Sequence, residues 1–274
     1  MRRAVVRGLQ RRDRHEELES LSLDEKSFQR GYQFISVLGD TARRRVLEVI
    51  EGRSREAAET LLKTGLSESQ KRTVSSVSMD MWVPFMNARE TILPEAETVH
   101  DRFHIAKYLN DAVDNTRRAE NRRLTKREDN TLQRTKYLWL RSPEKLTDKQ
   151  RAAFDALQGL ELETAKVWAF KESFRTFFDC QSVQEAKGFF AAWHDAATAL
   201  GNSHLAKVAK MLKAHLDGLL AYIRHKVTNA LAEALNGQIQ RIKANARGFR
   251  RFDNFRVAIL FFLGKLDLYP HKSP

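Results

Sequence analysis

The chain has 274 residues, 42% of them hydrophobic and 30% charged, enough apolar material for one or two packed domains and too much for a disordered chain. Lys and Arg number 48 against 35 Asp and Glu, a formal net charge of +13, so an acidic partner, nucleic acid first, is expected. The single cysteine, Cys180, excludes an internal disulfide and a cysteine-rich zinc module within these residues.

Residues 1–19 read as a basic segment whose charge leads into no apolar stretch before Arg11 and Arg12, so no secretory signal is expected. The longest apolar run, Val257 to Leu263, is far too short to cross a membrane. A cytoplasmic protein with no membrane partner follows as an expectation.

From Leu21 the apolar residues come in short runs: Leu21 and Leu23, then Tyr32 to Leu38, then Val46 to Ile50. Their length, their β-branched and aromatic content and the Arg30-Gly31 and Gly39-Asp40 breaks predict three strands in a meander. Ser54 can cap a helix through Leu61 and Leu62 that stops near Gly65. Val74 to Met79 predicts a fourth strand ending before Pro84, Arg89 to Leu93 a short helix, and Glu97 to His100 a last extended segment. After Phe103 the pattern is helical almost without a break. Thr147 with Gln150 and Ser182 with Glu185 have capping-box spacing, and Trp168, Phe174, Phe177, Phe178, Phe189, Phe190 and Trp193 supply a bulky helical core.

Asp24 directly follows the first apolar run and Asp80 directly follows the fourth predicted strand, so each carboxylate is expected where a strand stops. Strand ends are where α/β sheets gather ligands. If the two strands are neighbours, an oxygen-loving cation such as Mg²⁺ would relieve the repulsion; otherwise each Asp caps a turn. Glu233 lies off the Leu231, Leu235, Ile239 and Ile242 stripe of a predicted helix, facing either a polar crevice or water. Asp101 and His104, three apart at a helix start, can hydrogen-bond each other or cap the backbone. The stretch from Lys243 through Arg247, Arg250 and Arg251 suits a phosphate backbone, with Phe249 and Phe252 as anchors or base-stacking rings, or else is a basic helix end. Trp82 reads either as core or as a stacking surface, core first.

Taken in order, Leu23-Asp24-Glu25-Lys26-Ser27-Phe28, Arg30-Gly31-Tyr32, Val77-Ser78-Met79-Asp80-Met81, His100-Asp101-Arg102-Phe103-His104, Glu233-Ala234-Leu235-Asn236 and Arg247-Gly248-Phe249-Arg250 resemble the ISL-three family of bacterial insertion-sequence transposases. The resemblance runs from about Ala4 to Phe262. It implies an α/β, ribonuclease H-like mixed-sheet core (20–104 and 227–274) interrupted by a large all-helical insertion (105–226). It also implies an Asp-Asp-Glu triad of Asp24, Asp80 and Glu233 as catalytic residues and metal ligands, with Asp101 and His104 as an accessory pair and Asp101 as the rival second Asp. The implied chemistry is two-metal phosphoryl transfer, with Mg²⁺ ions, or Mn²⁺ as a substitute, about 3.5–4 Å apart. The implied partners are double-stranded DNA at element ends and target, and further copies of the chain on DNA in the bacterial nucleoid. Lys243, Arg247, Arg250 and Arg251 are the expected DNA contacts. Family members usually carry an N-terminal zinc ribbon and helix-turn-helix, and with Cys180 alone the ribbon is expected to be missing here. The alternative expectation is therefore a catalytically silent truncated transposase that regulates by binding DNA or a full-length subunit.

Overall fold

The structure, a computed structural model, describes residues 1–29, 33–100, 102–226 and 230–270, with 230–233 described by their backbone only. The described chain separates into two compact units, Met1–Asp101 with His225–Pro274, and Arg102–Arg224.

The first unit opens with α1 (Arg2–Arg11), followed by β1 (Ser20–Gln29), β2 (Gln33–Asp40) and β3 (Arg45–Glu51). These pair antiparallel as the expected meander. Next come α2 (Arg55–Gly65), α3 (Glu68–Thr73), β4 (Ser76–Met79), α4 (Val83–Ile92) and β5 (Glu97–His100). The sheet order is β3-β2-β1-β4-β5, with β4 parallel to both β1 and β5. It is a five-stranded mixed sheet, half meander and half parallel crossover.

Two departures from the sequence reading have simple causes. β1 does not stop at Leu23 but continues to Gln29, so Asp24 lies inside a strand. Backbone pairing to β2 carries the polar residues Asp24 to Ser27 into the ladder, where Asp24 faces Val37 and Ser27 faces Phe34. α4 starts before Pro84 rather than after it, because proline in the first turn of a helix forfeits no intrahelical bond.

Both sheet faces are covered. Leu21, Leu23, Leu38, Leu47, Val77 and Met79 pack with Leu61, Leu62, Phe85 and Ala88 of α2 and α4. Phe28, Ile35, Val37, Val46 and Val49 pack on the opposite face, against residues from the far end of the chain.

The second unit is all helical: α5 (Arg102–Thr125), α6 (Lys136–Leu140), α7 (Asp148–Gln158), α8 (Glu163–Ser173), α9 (Val183–Ala199), α10 (Ser203–Ala214) and α11 (Leu216–His225), which ends in the first unit. Phe174, Phe177, Phe190 and Trp193 are buried as the pattern predicts, whereas Trp168, Phe178 and Phe189 are half-buried. Trp139 and Phe154, edge to face at 5.0 Å, complete this core.

The chain then returns to the first unit with α12 (Ala230–Asn245) and α13 (Phe252–Leu263). Leu235 and Ile239 of α12 and Phe255, Ile259 and Leu260 of α13 close the second sheet face. Gly39 permits the approach, because a Cβ there would lie 2.5 Å from Ser22 Oγ and 3.4 Å from Leu235 Cδ1. No helix among the described residues is long and apolar enough to cross a membrane.

Candidate active site

The parallel pairing of β1 with β4 fixes the relation between the first two acids. Ser22 is level with Ser78, and Asp24 and Asp80 are each two residues further on. Asp24 lies within β1, and Asp80 is the first residue after β4. Asp24 shares a sheet face with Ser22, since side chains alternate along a strand.

The two carboxylates are held alike at the backbone. Oδ1 of Asp24 accepts from the Glu25 amide and Oδ1 of Asp80 from the Met81 amide, both at 2.7 Å. Oδ2 of Asp24 accepts from Asn236 Nδ2 of α12 and pairs with Lys26 Nζ at 3.1 Å. Asp24 is largely but not wholly enclosed, with a side chain 20% exposed.

The Asn236 contact places α12 across this part of the sheet, and the helix runs the same way as β1: Lys243 Nζ, seven residues later, donates to the Ser27 carbonyl at 2.9 Å. Glu233 belongs to α12, one turn before Asn236. Its side chain lies outside the described residues, as does Asp101. Among the described residues no three His, Cys, Asp or Glu side chains gather as a metal cluster. Carboxylate oxygens are the hard donors that a divalent cation takes, and both oxygens of Asp24 are engaged within the protein, Oδ1 by the Glu25 amide and Oδ2 by Asn236 and Lys26. His104 lies in the first turn of α5, half-buried, its ring edge-on to Phe103 at 5.8 Å.

Trp82 is not core. It is 39% exposed, and its indole N–H donates to the Arg53 carbonyl at 3.2 Å. The Arg53 guanidinium lies 4.0 Å from the Phe34 ring centroid and 5.1 Å from that of Trp82, and pairs with Glu25 at 3.2 Å. An aromatic and cationic platform thus begins two residues after Asp80.

The four basic candidates divide. Lys243 is engaged by the Ser27 carbonyl. Arg247 and Gly248 adopt φ of 54° and 95° and end α12 in a left-handed turn. Gln29 pins the following loop by donating to the Phe249 and Arg250 carbonyls at 2.8 and 3.2 Å. Arg247, Arg250 and Arg251 remain exposed. Phe249 stacks on Phe255 at 4.9 Å and Phe252 meets Phe28 edge-on at 6.3 Å, so these two rings anchor the loop.

Sequence reasoning missed Asn236 as a partner of Asp24, Arg53 as the stacked cation, and a 2.6 Å bond between His225 and Glu97. Only Asn236 left a trace, as a polar residue one helical turn from Glu233.

A family model described as Transposase matches residues 21–259. A transposase for insertion sequence element IS1001 of Bordetella parapertussis is 28% identical over 262 residues, covering 94% of this chain and 64% of the relative. Transposases for IS1557 from two Mycobacterium tuberculosis strains, CDC 1551 / Oshkosh and ATCC 25618 / H37Rv, are 23% identical over 263 residues, covering 87% of this chain and 58% of theirs. The chain spans less than two thirds of the length of these curated relatives.

Proposed function

The chain belongs to the ISL-three family of insertion-sequence transposases, and on that premise we propose that its first unit is a ribonuclease H-like catalytic core for metal-dependent DNA strand cleavage and strand transfer. The observation that carries the reading is the equal two-residue step from the Ser22 and Ser78 pair to Asp24 and Asp80. Asp24, Asp80 and Glu233 are the proposed metal-holding triad, with Mg²⁺ as the cation and Mn²⁺ as its substitute. Bound there, the metal supplies Lewis acidity for water or a terminal 3′-hydroxyl as nucleophile and for the leaving oxygen.

The chain's own residues do the rest. The Glu25 and Met81 amides hold one oxygen of each aspartate, and Asn236 orients the other oxygen of Asp24. Arg247, Arg250 and Arg251 sit near the far end of β1, where Gln29 bonds their loop. Five residues of strand separate Gln29 from Asp24, about 17 Å, a span over which a duplex presents several phosphates. Asp101 and His104 are the proposed accessory pair. The partners are double-stranded DNA and further copies of the chain.

The test is cleavage of a pre-nicked terminal-repeat duplex in Mg²⁺ or Mn²⁺, with salt-dependent binding measured in parallel. Asp24→Asn and Asp80→Asn should each lower cleavage by about a thousandfold or more, several kcal/mol of charge stabilisation, while binding is retained. Cleavage by Asp24→Asn at the unmutated rate overturns the assignment. Binding without cleavage by the unmutated chain supports the silent, regulatory role instead.

A further inference from the structure

The helical unit carries a half-open cavity of about 200 Å³ whose lining includes Arg102, Asn110, Lys171, Glu172, Arg175 and Phe178. Three cations face one carboxylate around it. The Lys171 side chain is only 9% exposed, and its ammonium donates to the Trp139 carbonyl at 3.0 Å and pairs with Glu172 at 2.9 Å, using two of three donors. Arg175 shares that same Glu172 at 2.9 Å and reaches Glu144 at 3.2 Å. Arg102 makes no ion pair among the described residues; its guanidinium rests 4.9 Å from the Phe178 ring centroid.

Glu172 thus serves Lys171 and shares Arg175 with Glu144, while Arg102 makes no such pair among the described residues. Lys171 is the buried cation of the three, Arg102 and Arg175 being exposed; burial lowers the Lys171 pKa, and a further counter-charge in the cavity would offset that cost. The second deficit is at Asn110, whose buried Oδ1 has no hydrogen-bond partner. Turned about its last torsion, that carboxamide presents two N–H donors to the same space.

Guanidinium forks, an ammonium and an amide around one cavity form a donor set for an anion with several oxygens. We infer that this cavity is a phosphate-binding pocket of the helical unit, separate from the proposed carboxylate site. The phosphate belongs either to a DNA backbone or to a free phosphate or nucleotide.

Thermal unfolding of the full chain in sodium phosphate and in sodium chloride of equal ionic strength tests the pocket. Phosphate should raise the melting temperature of the unmutated chain and of Arg118→Gln, an exposed arginine outside the cavity, but not that of Arg102→Gln. No phosphate-specific rise, or a rise that survives in Arg102→Gln, overturns the inference. The source is then read from duplex binding across a salt series: a slope of log affinity against log salt smaller by about 1 in Arg102→Gln assigns the pocket to a DNA phosphate. An unchanged slope with the phosphate effect lost assigns it to a free phosphate group. Neither outcome depends on cleavage, so failure of the pocket and failure of the carboxylate triad are separable.

Discussion

Asn236 spends its side-chain amide on Asp24 across 212 residues of chain, and that single contact couples the position of α12 to the proposed site. A hydrogen bond to a charged acceptor contributes about 1.5–3 kcal/mol. Asn236→Leu should lower stability by about 1–2 kcal/mol in urea unfolding and raise the Mn²⁺ concentration needed for half-maximal cleavage; an unchanged metal dependence removes its positioning role. Cys180 illustrates the opposite case, a residue removed from chemistry. It is buried, and burial, followed by the nearby Glu185 and Asp179 charges, raises its thiol pKa, so it stays protonated at neutral pH. Iodoacetamide should label it only after denaturation. Asp24 and Asp80 stand out in the sequence because both neighbour apolar strand runs, although β1 continues past Asp24 to Gln29. Asn236 does not, because no local pattern encodes a bond of that span.

At the level of elements, α8 shows how a helix start can be invisible in its own sequence. Its N-cap residue, Leu162, offers no side-chain acceptor. Instead Glu120 of α5 accepts from the Glu163 and Thr164 amides, both at 2.8 Å, and from Thr164 Oγ1 at 2.6 Å. Glu120 is a buried carboxylate that meets free helix N–H groups and the positive end of a dipole. Glu120→Ala strands three donors and should cost about 2–3 kcal/mol in calorimetric unfolding; a loss below about 0.5 kcal/mol would refute the capping role. Helices with local caps were readable: Ser54 Oγ accepts from the Ala57 amide at 3.2 Å, and Thr147 with Gln150 forms the expected capping box. α1 was not, since a basic amphipathic segment becomes a helix only when Val5 finds the core.

For the whole molecule, the N-terminal helix and the C-terminal segment are tied together. Arg7 and Arg11 donate to the Leu268 and Tyr269 carbonyls at 3.1 and 2.7 Å. Arg12 reaches further, donating to the Leu47 and Gly264 carbonyls at 2.7 and 3.2 Å. Burial, then the neighbouring Arg45, lowers the Arg12 pKa to about 10. The unfolded arginine holds its proton to higher pH, so between the folded and unfolded values the unfolded chain binds more protons, and this group alone makes stability rise with pH there. Below about pH 9 it is charged in both states and contributes no slope. Arg12→Met should therefore cost about 1–3 kcal/mol by the same amount at pH 6.5 and pH 8.5. A penalty that changes by more than about 1 kcal/mol across that range contradicts the bonding described.

The order in which the first unit's pieces occur along the chain has a consequence for synthesis. β1 and β4 are made well before α12 and α13, yet the sheet face formed by Ile35, Val37, Val46 and Val49 is covered in large part by residues from Leu235 onward. The helical unit, contiguous from Arg102 to Arg224, is complete before that cover exists. A nascent chain released before α13 would carry a folded helical unit and a half-covered sheet, an aggregation-prone species of the kind chaperones retain. Asp24 would thus meet Asn236 of α12 only after the whole helical unit has been made.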